Sequence, residues 1–440
     1  MDRALRSKGG SMKSVLTLAL ALPLAAGCAS IGSRTEAGPG DGASARIHWR
    51  NGDIELAERA ALAASDSPES DRALFDCAFA KGDYARALDL YLKLAESRPG
   101  RAGRAALDDA AIEAYIHLGR FSEAADLASV RKAAKWRREL LDAHAAAPLR
   151  ARLEGTTIVP FEAVPLMGVD FSDSLPGVAA ELDGERIVAH FDSGAAFLVM
   201  SPQKAKSLGI ELRGGERAFA ALSWERMSYG IAKSLRIGDA LLENVPVAAA
   251  PQLRGDLDRV YFGTCILERF YATVDYPSRR LILSPRDDER LKAEHLAMLA
   301  GDRSEIPFYL WGDHFMFARG SVGDERDLNF FIDSGLFFAI ADEGGAVRRG
   351  SLLAAPDECR RWGMSAAEAE KGYFECRSPI SLGPSAQEGG AYIVAGPMDV
   401  IEENFGGVCI DALLSNGFLR NYAWTIDFDR RAFCLTRPRK

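Results

Sequence analysis

The chain has 440 residues and a formal net charge of −8, with 48% hydrophobic and 26% charged residues. This composition indicates folded globular domains and excludes a chain that is disordered throughout. The acidic balance argues against a general nucleic-acid binder, because such proteins need a basic face for phosphates. The length predicts two or three domains.

The N-terminus has the pattern of an export signal. Four basic residues and one acidic residue precede the apolar stretch VLTLALALPLAAG, which is too short to cross a bilayer comfortably and is followed by Cys28. The residues before Cys28 resemble a bacterial lipobox, although Ala25 stands where lipoboxes usually have Leu. We therefore predict a lipoprotein signal over residues 1–28. An ordinary secretory signal and an uncleaved anchor are the alternatives.

A lipid on Cys28 predicts an exported protein that acyl chains hold at a membrane, facing the periplasm or the cell exterior. Loss of residues 1–27 removes four cations and one anion, so the mature charge is −11. Residues 29–45 are rich in Gly, Ser and Ala. They predict a flexible tether between the anchor and the folded domains.

Residues 46–148 are predicted to be helical, since apolar residues recur there at helical spacing. Two segments within them, 73–100 and 109–129, share a Gly-polar-aromatic turn followed by Ala, at a shift of 37 residues. This pattern resembles tetratricopeptide repeats, and a plain bundle of helical hairpins is the alternative. Either structure predicts a role in packing or in binding a protein partner, with no chemistry of its own.

The residue pattern changes after Pro148. Short runs rich in Val, Ile, Phe and Tyr alternate with Gly and Asp turns, which predicts a mainly-β region of many short strands. We predict two such units, a first β unit over residues 150–285 and a second β unit over residues 304–440. A helical connector is predicted between them, over residues 286–303.

The two β units repeat one pattern. Each contains an apolar run that ends in Asp-Ser-Gly, in AHFDSGAAF at 189–197 and in NFFIDSGLF at 329–337. Each also ends in Leu-x-x-aromatic followed by an aspartate-aromatic hairpin, in LERFYATVDYP and in LRNYAWTIDFD, which are related by a shift of 152 residues. The chain therefore carries an internal duplication of one β unit.

The duplication predicts one site built from two turns. Packed about a pseudo-two-fold axis, the turns bring Asp192 and Asp333 into one apolar cleft. Like charges a few ångströms apart do not both ionise readily, so the pair shares a proton. One carboxylate can then accept a proton from water while the other carboxyl donates a proton to an amide carbonyl.

At these residues the chain resembles aspartic proteases of the pepsin and retropepsin class, whose signature is two apolar residues followed by Asp-Thr/Ser-Gly. The resemblance implies a mainly-β, bilobed fold with pseudo-two-fold symmetry that acts on a peptide or protein substrate without a cofactor or metal. It implies Asp192 and Asp333 as the catalytic pair. The residues that it implies as supports of the two active-site turns are Ser193, Gly194, Ser334, Gly335 and Gly263.

The resemblance also implies a flap, a hairpin over the cleft. The segment between the first Asp-Ser-Gly and residue 240 is the expected place, and it contains SWERMSYGIAKSLRIG. Trp224 and Tyr229 are the candidate flap aromatics, and ordinary strand packing is the alternative for both.

The duplicated units depart unequally from the family pattern. Leu336 replaces the usual small residue after the second Asp-Ser-Gly, and Ser415 stands where the family has Gly. In the first unit, Ala196 removes a hydroxyl that pepsin-like members often keep. Two hypotheses follow. The first is an exported aspartic endopeptidase, and the second is a catalytically inactive, peptide-binding or scaffolding lipoprotein with a degenerate aspartic-protease fold.

The cysteines after Cys28 show no CxxC and no zinc-finger spacing. An exported protein can form disulfides, and the predicted pairs are Cys359 with Cys376 and Cys409 with Cys434. Buried free thiols are the alternative.

The histidines are scattered and form no metal-binding pattern. His190 is expected in packing or at the surface, and His314, in GDHFMF, is expected in a turn. No phosphate-binding or dinucleotide-binding glycine motif is present, which agrees with a reaction that needs no cofactor.

Overall fold

The computed structural model describes residues 42–64, 67–96, 101–163, 165–166, 169–170, 175–220, 223–255, 258–341, 347–387, 390–398 and 402–439. The predicted signal, Cys28 and tether residues 29–41 lie outside the described residues. No helix in the described part of the chain is both long enough and apolar enough to cross a membrane.

A helical segment comes first in the described chain. Its helices are α1 (Gly42–Arg50), α2 (Ile54–Ala63), α3 (Pro68–Ala80), α4 (Tyr84–Glu96), α5 (Arg101–His117), α6 (Phe121–Val130) and α7 (Lys135–Ala146). Because α1 begins at Gly42, the end of the predicted tether 29–45 is helical, which corrects that boundary. Ala45 explains the difference, since it is fully buried against Ala61 and Ala73.

The two related sequence segments each form a helix pair. Helices α3 and α4 flank the turn at Gly82, and α5 and α6 flank the turn at Gly119. Local interactions define the start of helix α3. Ser67 Oγ accepts a hydrogen bond from the Ser70 N–H at 3.1 Å, and Pro68 occupies the first turn. The tetratricopeptide interpretation and a protein partner for this segment stay predictions.

The first β unit follows directly. Its strands are β1 (Arg150–Arg152), β2 (Thr157–Glu162), β3 (Pro165–Leu166), β4 (Val169–Asp170), β5 (Gly177–Leu182), β6 (Glu185–Phe191), β7 (Leu198–Met200), β8 (Arg213–Ala220), β9 (Ser223–Ile237), β10 (Ala240–Ala249), β11 (Val260–Phe262), β12 (Phe270–Asp275) and β13 (Arg280–Pro285). Two short helices, α8 (Pro202–Ser207) and α9 (Thr264–Leu267), lie between strands. Strand β12 is buried along its whole length, so it lies in the core.

The connector contains helix α10 (Glu289–Ala297), as its helical pattern predicts. The helix packs on the sheet through His295, whose ring nitrogens lie 2.7 Å from Thr273 Oγ1 and 2.8 Å from Ser284 Oγ. Burial lowers the pKa of His295 to about 4, so the imidazole is neutral at neutral pH. The connector is thus part of the packed structure.

The second β unit begins at Asp302, so the end of the predicted connector is already strand. Its strands are β14 (Asp302–Trp311), β15 (Phe315–Val322), β16 (Glu325–Ile332), β17 (Ala339–Ala341), β18 (Val347–Ala354), β19 (Tyr373–Cys376), β20 (Ile380–Leu382), β21 (Ser385–Gln387), β22 (Ala391–Ala395), β23 (Ala412–Leu414), β24 (Ala423–Asp427) and β25 (Ala432–Arg437). Its helices are α11 (Pro356–Arg361), α12 (Ala366–Lys371) and α13 (Asn416–Leu419), with a 3-10 turn at Glu402–Phe405.

One sheet joins the two β units, in the order β2–β13–β12–β24–β25–β14. At its centre β12 and β24 pair antiparallel, with Thr273 opposite Thr425 and their hydroxyl oxygens 2.6 Å apart. These threonines are related by the same shift of 152 residues. Equivalent strands of the duplicated units therefore meet, which holds the two units together.

The helical segment packs against the second β unit. The ring centroids of Trp49 and Trp311 lie 5.4 Å apart, and those of Phe79 and Trp311 lie 4.9 Å apart. Arg431 Nη2 also donates a hydrogen bond to the Tyr84 hydroxyl at 2.6 Å. Because these side chains are largely buried, the helical segment and the second unit share one apolar core.

Neither predicted disulfide is present. The four cysteines concerned, Cys359, Cys376, Cys409 and Cys434, form no disulfide. Cys359 Sγ lies 3.7 Å from the Ala354 carbonyl oxygen, and Cys376 Sγ lies 3.4 Å from the carbonyl oxygen of Ser378. Each of these two thiols therefore has a backbone partner of its own.

The second predicted pair is separated by the fold. Cys409 lies beside α1, where its N–H donates to the Arg50 carbonyl at 2.8 Å. Cys434 lies in β25, within the sheet that joins the units. Both cysteines belong to one C-terminal unit, but the fold does not bring their sulfurs together.

Candidate active site

Each Asp-Ser-Gly lies where a buried strand ends in a turn. Strand β6 leads to Asp192 and β16 leads to Asp333, and a short parallel strand lies beside each, β11 and β23 respectively. The Asp192 N–H donates to the Phe262 carbonyl at 3.2 Å, and the Asp333 N–H donates to the Leu414 carbonyl at 3.0 Å. Phe262 and Leu414 are again 152 residues apart, so equivalent contacts hold the two aspartates.

The two serines join the turns to one another. Ser334 Oγ accepts a hydrogen bond from the Ser193 N–H at 2.9 Å. Ser193 Oγ accepts one from the Ser334 N–H at 3.0 Å and donates one to the Ile332 carbonyl at 2.8 Å. Both serines are fully buried. These bonds cross between the β units and set the separation of the two aspartates.

The carboxyl groups of Asp192 and Asp333 are both buried, and each lies against the glycine of the opposite turn. A Cβ on Gly335 would lie 2.2 Å from Asp192 Cγ, and a Cβ on Gly194 would lie 2.6 Å from Asp333 Oδ1, so each turn needs glycine to admit the opposite carboxyl. No N–H or O–H of the described residues reaches Asp192 Oδ2. The two buried carboxyls affect one another's ionisation and so titrate as a pair, in which one shared proton relieves the repulsion between their charges.

Burial dominates the ionisation of the pair. It raises the pKa of Asp192 to about 6, and burial together with the charge of Asp192 raises the pKa of Asp333 well above its usual value. Backbone donors oppose this effect. The Gly194 N–H lies 2.8 Å from Asp192 Oδ1, and the N–H groups of Gly335 and Leu336 each lie 3.0 Å from Asp333 Oδ1. At neutral pH the pair can thus present one carboxylic acid and one carboxylate.

Gly263 and Ser415 occupy equivalent places behind the two turns, with φ of −98° and −91°. Neither φ requires glycine. A Cβ on Gly263 would nevertheless lie 2.2 Å from the Ala195 carbonyl oxygen, so the first turn has no room for a side chain. Ser415 Oγ instead donates to the Gly350 carbonyl at 2.6 Å. The second turn accommodates its serine with a hydrogen bond.

Two further residues brace the turns and were not identified from the sequence. Thr264 Oγ1 lies 3.4 Å from the Ser193 carbonyl, and Asn416 Nδ2 donates to the Ser334 carbonyl at 3.1 Å. Thr264 and Asn416 are 152 residues apart, so the duplication carried a signal for them. Because Thr264 and Asn416 have different side chains, their correspondence was not recognised in the sequence.

A β8–β9 hairpin occupies the predicted flap region. The backbone of Trp224 pairs with Phe219 in this hairpin, and the Trp224 side chain lies outside the described residues. Tyr229 is buried and stacks on Trp136 of α7, with ring centroids 3.9 Å apart. The helical segment therefore contacts the hairpin directly, which no sequence motif indicated.

The two histidines singled out in the sequence have different surroundings. His190 is buried in the first β unit, with Nδ1 3.2 Å from the Leu175 carbonyl, in agreement with a packing role. His314 lies in the turn between β14 and β15, as predicted, and a charge on it lowers the pKa of Asp192. Within the described ranges, no cluster of three His, Cys, Asp or Glu side chains could hold a metal ion.

Comparisons with known proteins agree with this geometry in part. Residues 178–265 match a protein-family model described as aspartyl protease, a range that contains Asp192 and Gly263 and ends before the second β unit. No match was found among curated proteins.

Two solved structures are similar to the chain. A retropepsin-like aspartic protease from Rickettsia conorii is 21% identical over 31% of this chain and 93% of its own, with a TM-score of 0.24. An aspartic proteinase from Irpex lacteus is 10% identical over 64% of this chain and 98% of its own, with a TM-score of 0.38. The family match at residues 178–265 supports a peptidase, and over that range the chain is similar to aspartyl proteases.

Proposed function

We propose that this chain is an aspartic endopeptidase with a bilobed, pseudo-two-fold shell, in which Asp192 and Asp333 form the catalytic pair. The observation that carries the proposal is the placement of the two buried carboxyl groups, each against the glycine of the opposite turn. Burying two carboxyls together is unfavourable for stability, so a function that needs them is the best account of their presence. The substrate class is a peptide or protein.

The chemistry follows from the shared proton. The ionised carboxylate accepts a proton from a water molecule while the water oxygen bonds to the carbonyl carbon of the scissile amide. The protonated carboxyl donates its proton to the carbonyl oxygen, which leaves a neutral tetrahedral intermediate. Collapse of this intermediate breaks the C–N bond as the nitrogen takes a proton from the pair. A hydroxyl of the intermediate returns a proton to the pair, and a free acid and a free amine leave. No cofactor enters these steps.

The pKa values predict the pH dependence of this reaction. The active pair holds one proton, and the first proton leaves as pH rises through about 6, the pKa of Asp192. We therefore expect kcat/KM to rise through about pH 6 and to fall only at higher pH, where Asp333 loses its proton. A pH–rate profile on one fluorogenic peptide measures this. Maximal activity near pH 3 would contradict it.

The proposal is tested by cleavage of casein and of a peptide library, from acidic to neutral pH. Asp192→Asn and Asp333→Asn should each lower kcat/KM by at least about 100-fold, because each removes one of the two proton-transfer groups. Asp126→Asn, on the exposed face of α6, is the matched control and should retain activity. Cleavage that survives both active-site substitutions rules out the pair. Peptide binding without cleavage favours the inactive peptide-binding protein instead.

We further propose that the chain is exported and anchored through a lipid on Cys28, with the folded domains facing the periplasm or the cell exterior. The support is the basic segment, apolar stretch and cysteine at the N-terminus. Bacteria that express the full chain are grown with an alkyne fatty acid. The wild-type protein should become labelled, and Cys28→Ser should abolish the labelling. Equal labelling of both proteins contradicts the anchor.

A further inference from the structure

A cavity of about 280 Å3 lies where the helical segment meets both β units. Helices α5, α6 and α7 line one side, the first unit contributes Phe197 and Tyr229, and the second unit contributes His314 and Phe315. The volume is near the lower end of the range of about 300–1,000 Å3 for ligand pockets. It therefore fits one side chain of a larger ligand, and not a whole peptide.

The cavity adjoins the chain that follows the first Asp-Ser-Gly, at Ala196 and Phe197. Phe197 lines the cavity and directly follows the Asp192 turn. Phe197 and Trp136 pack on one buried apolar cluster that includes Ala195 and Phe337, which follow the first and the second Asp-Ser-Gly respectively. One apolar cluster therefore links the wall of the cavity to the residues that follow both aspartates.

Three nitrogen atoms of cavity-lining side chains are buried without a hydrogen-bond partner among the described residues. They are Trp136 Nε1, His144 Nδ1 and His314 Nε2. Both histidines are only 5% exposed, and leaving such a buried polar group unpaired is unfavourable. An indole N–H can only donate, so it suits a carbonyl oxygen. Peptide carbonyls beside an inserted side chain would supply such acceptors.

Each charged side chain that lines the cavity has a partner, and that of Asp313 is His314, with Oδ1 2.5 Å from Nδ1. Arg137 pairs with Glu113 at 2.5 Å and with Asp109 at 2.8 Å, and Arg269 pairs with Glu268 at 2.7 Å. Burial also lowers the pKa of His144 to about 4, which leaves that ring neutral at neutral pH. With its charges paired and leucine and aromatic side chains on its walls, the cavity favours an uncharged, apolar group.

We propose that this cavity is a substrate subsite, in which the helical segment binds one large apolar side chain of the peptide and so helps to determine specificity. This inference rests on the proposed function. Helix α7 then belongs to the active site, with Trp136, Leu140 and His144 as its specificity-determining residues. Its contact with Tyr229 fixes the wall of the subsite against the β8–β9 hairpin.

The test alters the cavity without touching the aspartates. Leu140 is half-buried, so Leu140→Trp fills the cavity and Leu140→Ala enlarges it with little risk to folding. The substrates are two peptides that differ at one residue beside the scissile bond. This residue is at the position where the wild type shows its strongest preference, and it is Phe in one peptide and Ala in the other. Leu92→Trp, on the exposed face of α4, is the matched control.

We expect Leu140→Trp to lower the Phe-to-Ala ratio of kcat/KM by about tenfold or more, and Leu140→Ala to shift selection towards larger residues. Leu92→Trp should keep the wild-type ratio. If Leu140→Trp and Leu140→Ala both keep the wild-type ratio while Asp192→Asn abolishes cleavage, the subsite is wrong and the proposed function stands.

If no peptide is cleaved, the proposed function fails. A binding measurement then tests whether the cavity still binds an apolar side chain of a peptide. Full-length Asp192→Asn protein is irradiated with blocked hexapeptides that carry one diazirine analogue of leucine, and the adducts are mapped by mass spectrometry. Adducts on α7 that Leu140→Trp abolishes support the cavity as an apolar peptide subsite. Adducts confined to the β units, or no adducts, overturn it.

Discussion

The two Asp-Ser-Gly turns make equivalent backbone contacts, but different residues pack around them. In the first turn, small residues allow backbone to lie against backbone, and the Thr264 N–H donates to the Ala195 carbonyl at 2.9 Å. In the second turn, the equivalent bond from Asn416 to Leu336 is 3.2 Å long, and side chains fill the space. Equivalent geometry at the carboxyls therefore does not require identical residues around them.

The helical segment explains part of the difference. Leu336 is fully buried, and it lies in the same apolar cluster as Trp49 of α1 and Trp311 of the second unit. Ala195 of the first turn lies in a separate cluster. The second turn thus has an additional apolar surface against which a larger residue packs. Its departures from the family pattern are compatible with an intact aspartate pair.

The largest expected effect comes from removing this packing. Leu336→Ala gives the second turn the residue of the first, and it should lower the free energy of unfolding by about 2–5 kcal/mol, because a cavity replaces a fully buried side chain. Urea unfolding at pH 7 measures the change. Leu62→Ala, at an exposed leucine of α2, should change stability by less than about 0.5 kcal/mol. A small loss for Leu336→Ala contradicts the packing difference.

A second exchange, at the equivalent positions Gly263 and Ser415, gives the first turn the residue of the second. Gly263→Ser places a Cβ 2.2 Å from the Ala195 carbonyl oxygen, so the turn that holds Asp192 must shift. We expect a loss of about 1–3 kcal/mol in unfolding free energy and a fall of about tenfold or more in kcat/KM. Chemical denaturation and the peptide assay measure the two effects. Wild-type values in both show that the first turn is as tolerant as the second.

Neutralising either aspartate should have the opposite effect on stability. Because burial raises the folded pKa of Asp192 to about 6, above its unfolded value near 4, this group destabilises the fold as pH rises between those values. Asp192→Asn should therefore raise the unfolding free energy at pH 7 by about 1–3 kcal/mol, with the gain vanishing below about pH 4.

Asp333→Asn is the matched variant of the second turn. The pKa of Asp333 is raised further, by burial and by the charge of Asp192, so its gain at pH 7 should be at least as large. Denaturant unfolding at pH 7 and at pH 4 measures both variants. A loss of stability at pH 7 in either one means that the native carboxyl pair is net stabilising.

The smallest effect is expected at Ser415. Ser415→Gly restores the residue of the first turn and removes the hydrogen bond from Ser415 Oγ to the Gly350 carbonyl. The expected loss is about 1 kcal/mol in unfolding free energy, with a smaller fall in kcat/KM than Gly263→Ser causes. A fall as large as that of Gly263→Ser shows that the serine has become essential to the second turn.

Much of the candidate site was predictable from the sequence. The meeting of Asp192 with Asp333 and the cross-links through Ser193 and Ser334 follow from short turns with strict geometric requirements, which few residue types satisfy. The exchange of Thr264 for Asn416 was hidden because two different side chains can each reach a carbonyl oxygen. The predicted disulfides failed because proximity along the chain does not bring two sulfurs together.

The order of the helical and β regions, the duplication, and the two turns that carry the aspartates can all be recognised along the sequence. Local hydrogen bonding and tight backbone contacts impose those features, so they leave recognisable residues at fixed spacing. Three features became apparent in the folded protein alone: the helical segment packs on the second unit through Trp49, stacks on Tyr229 through Trp136, and lines a cavity next to Ala196 and Phe197. Apolar packing between distant segments is satisfied by many residue combinations, so it leaves no pattern along the chain.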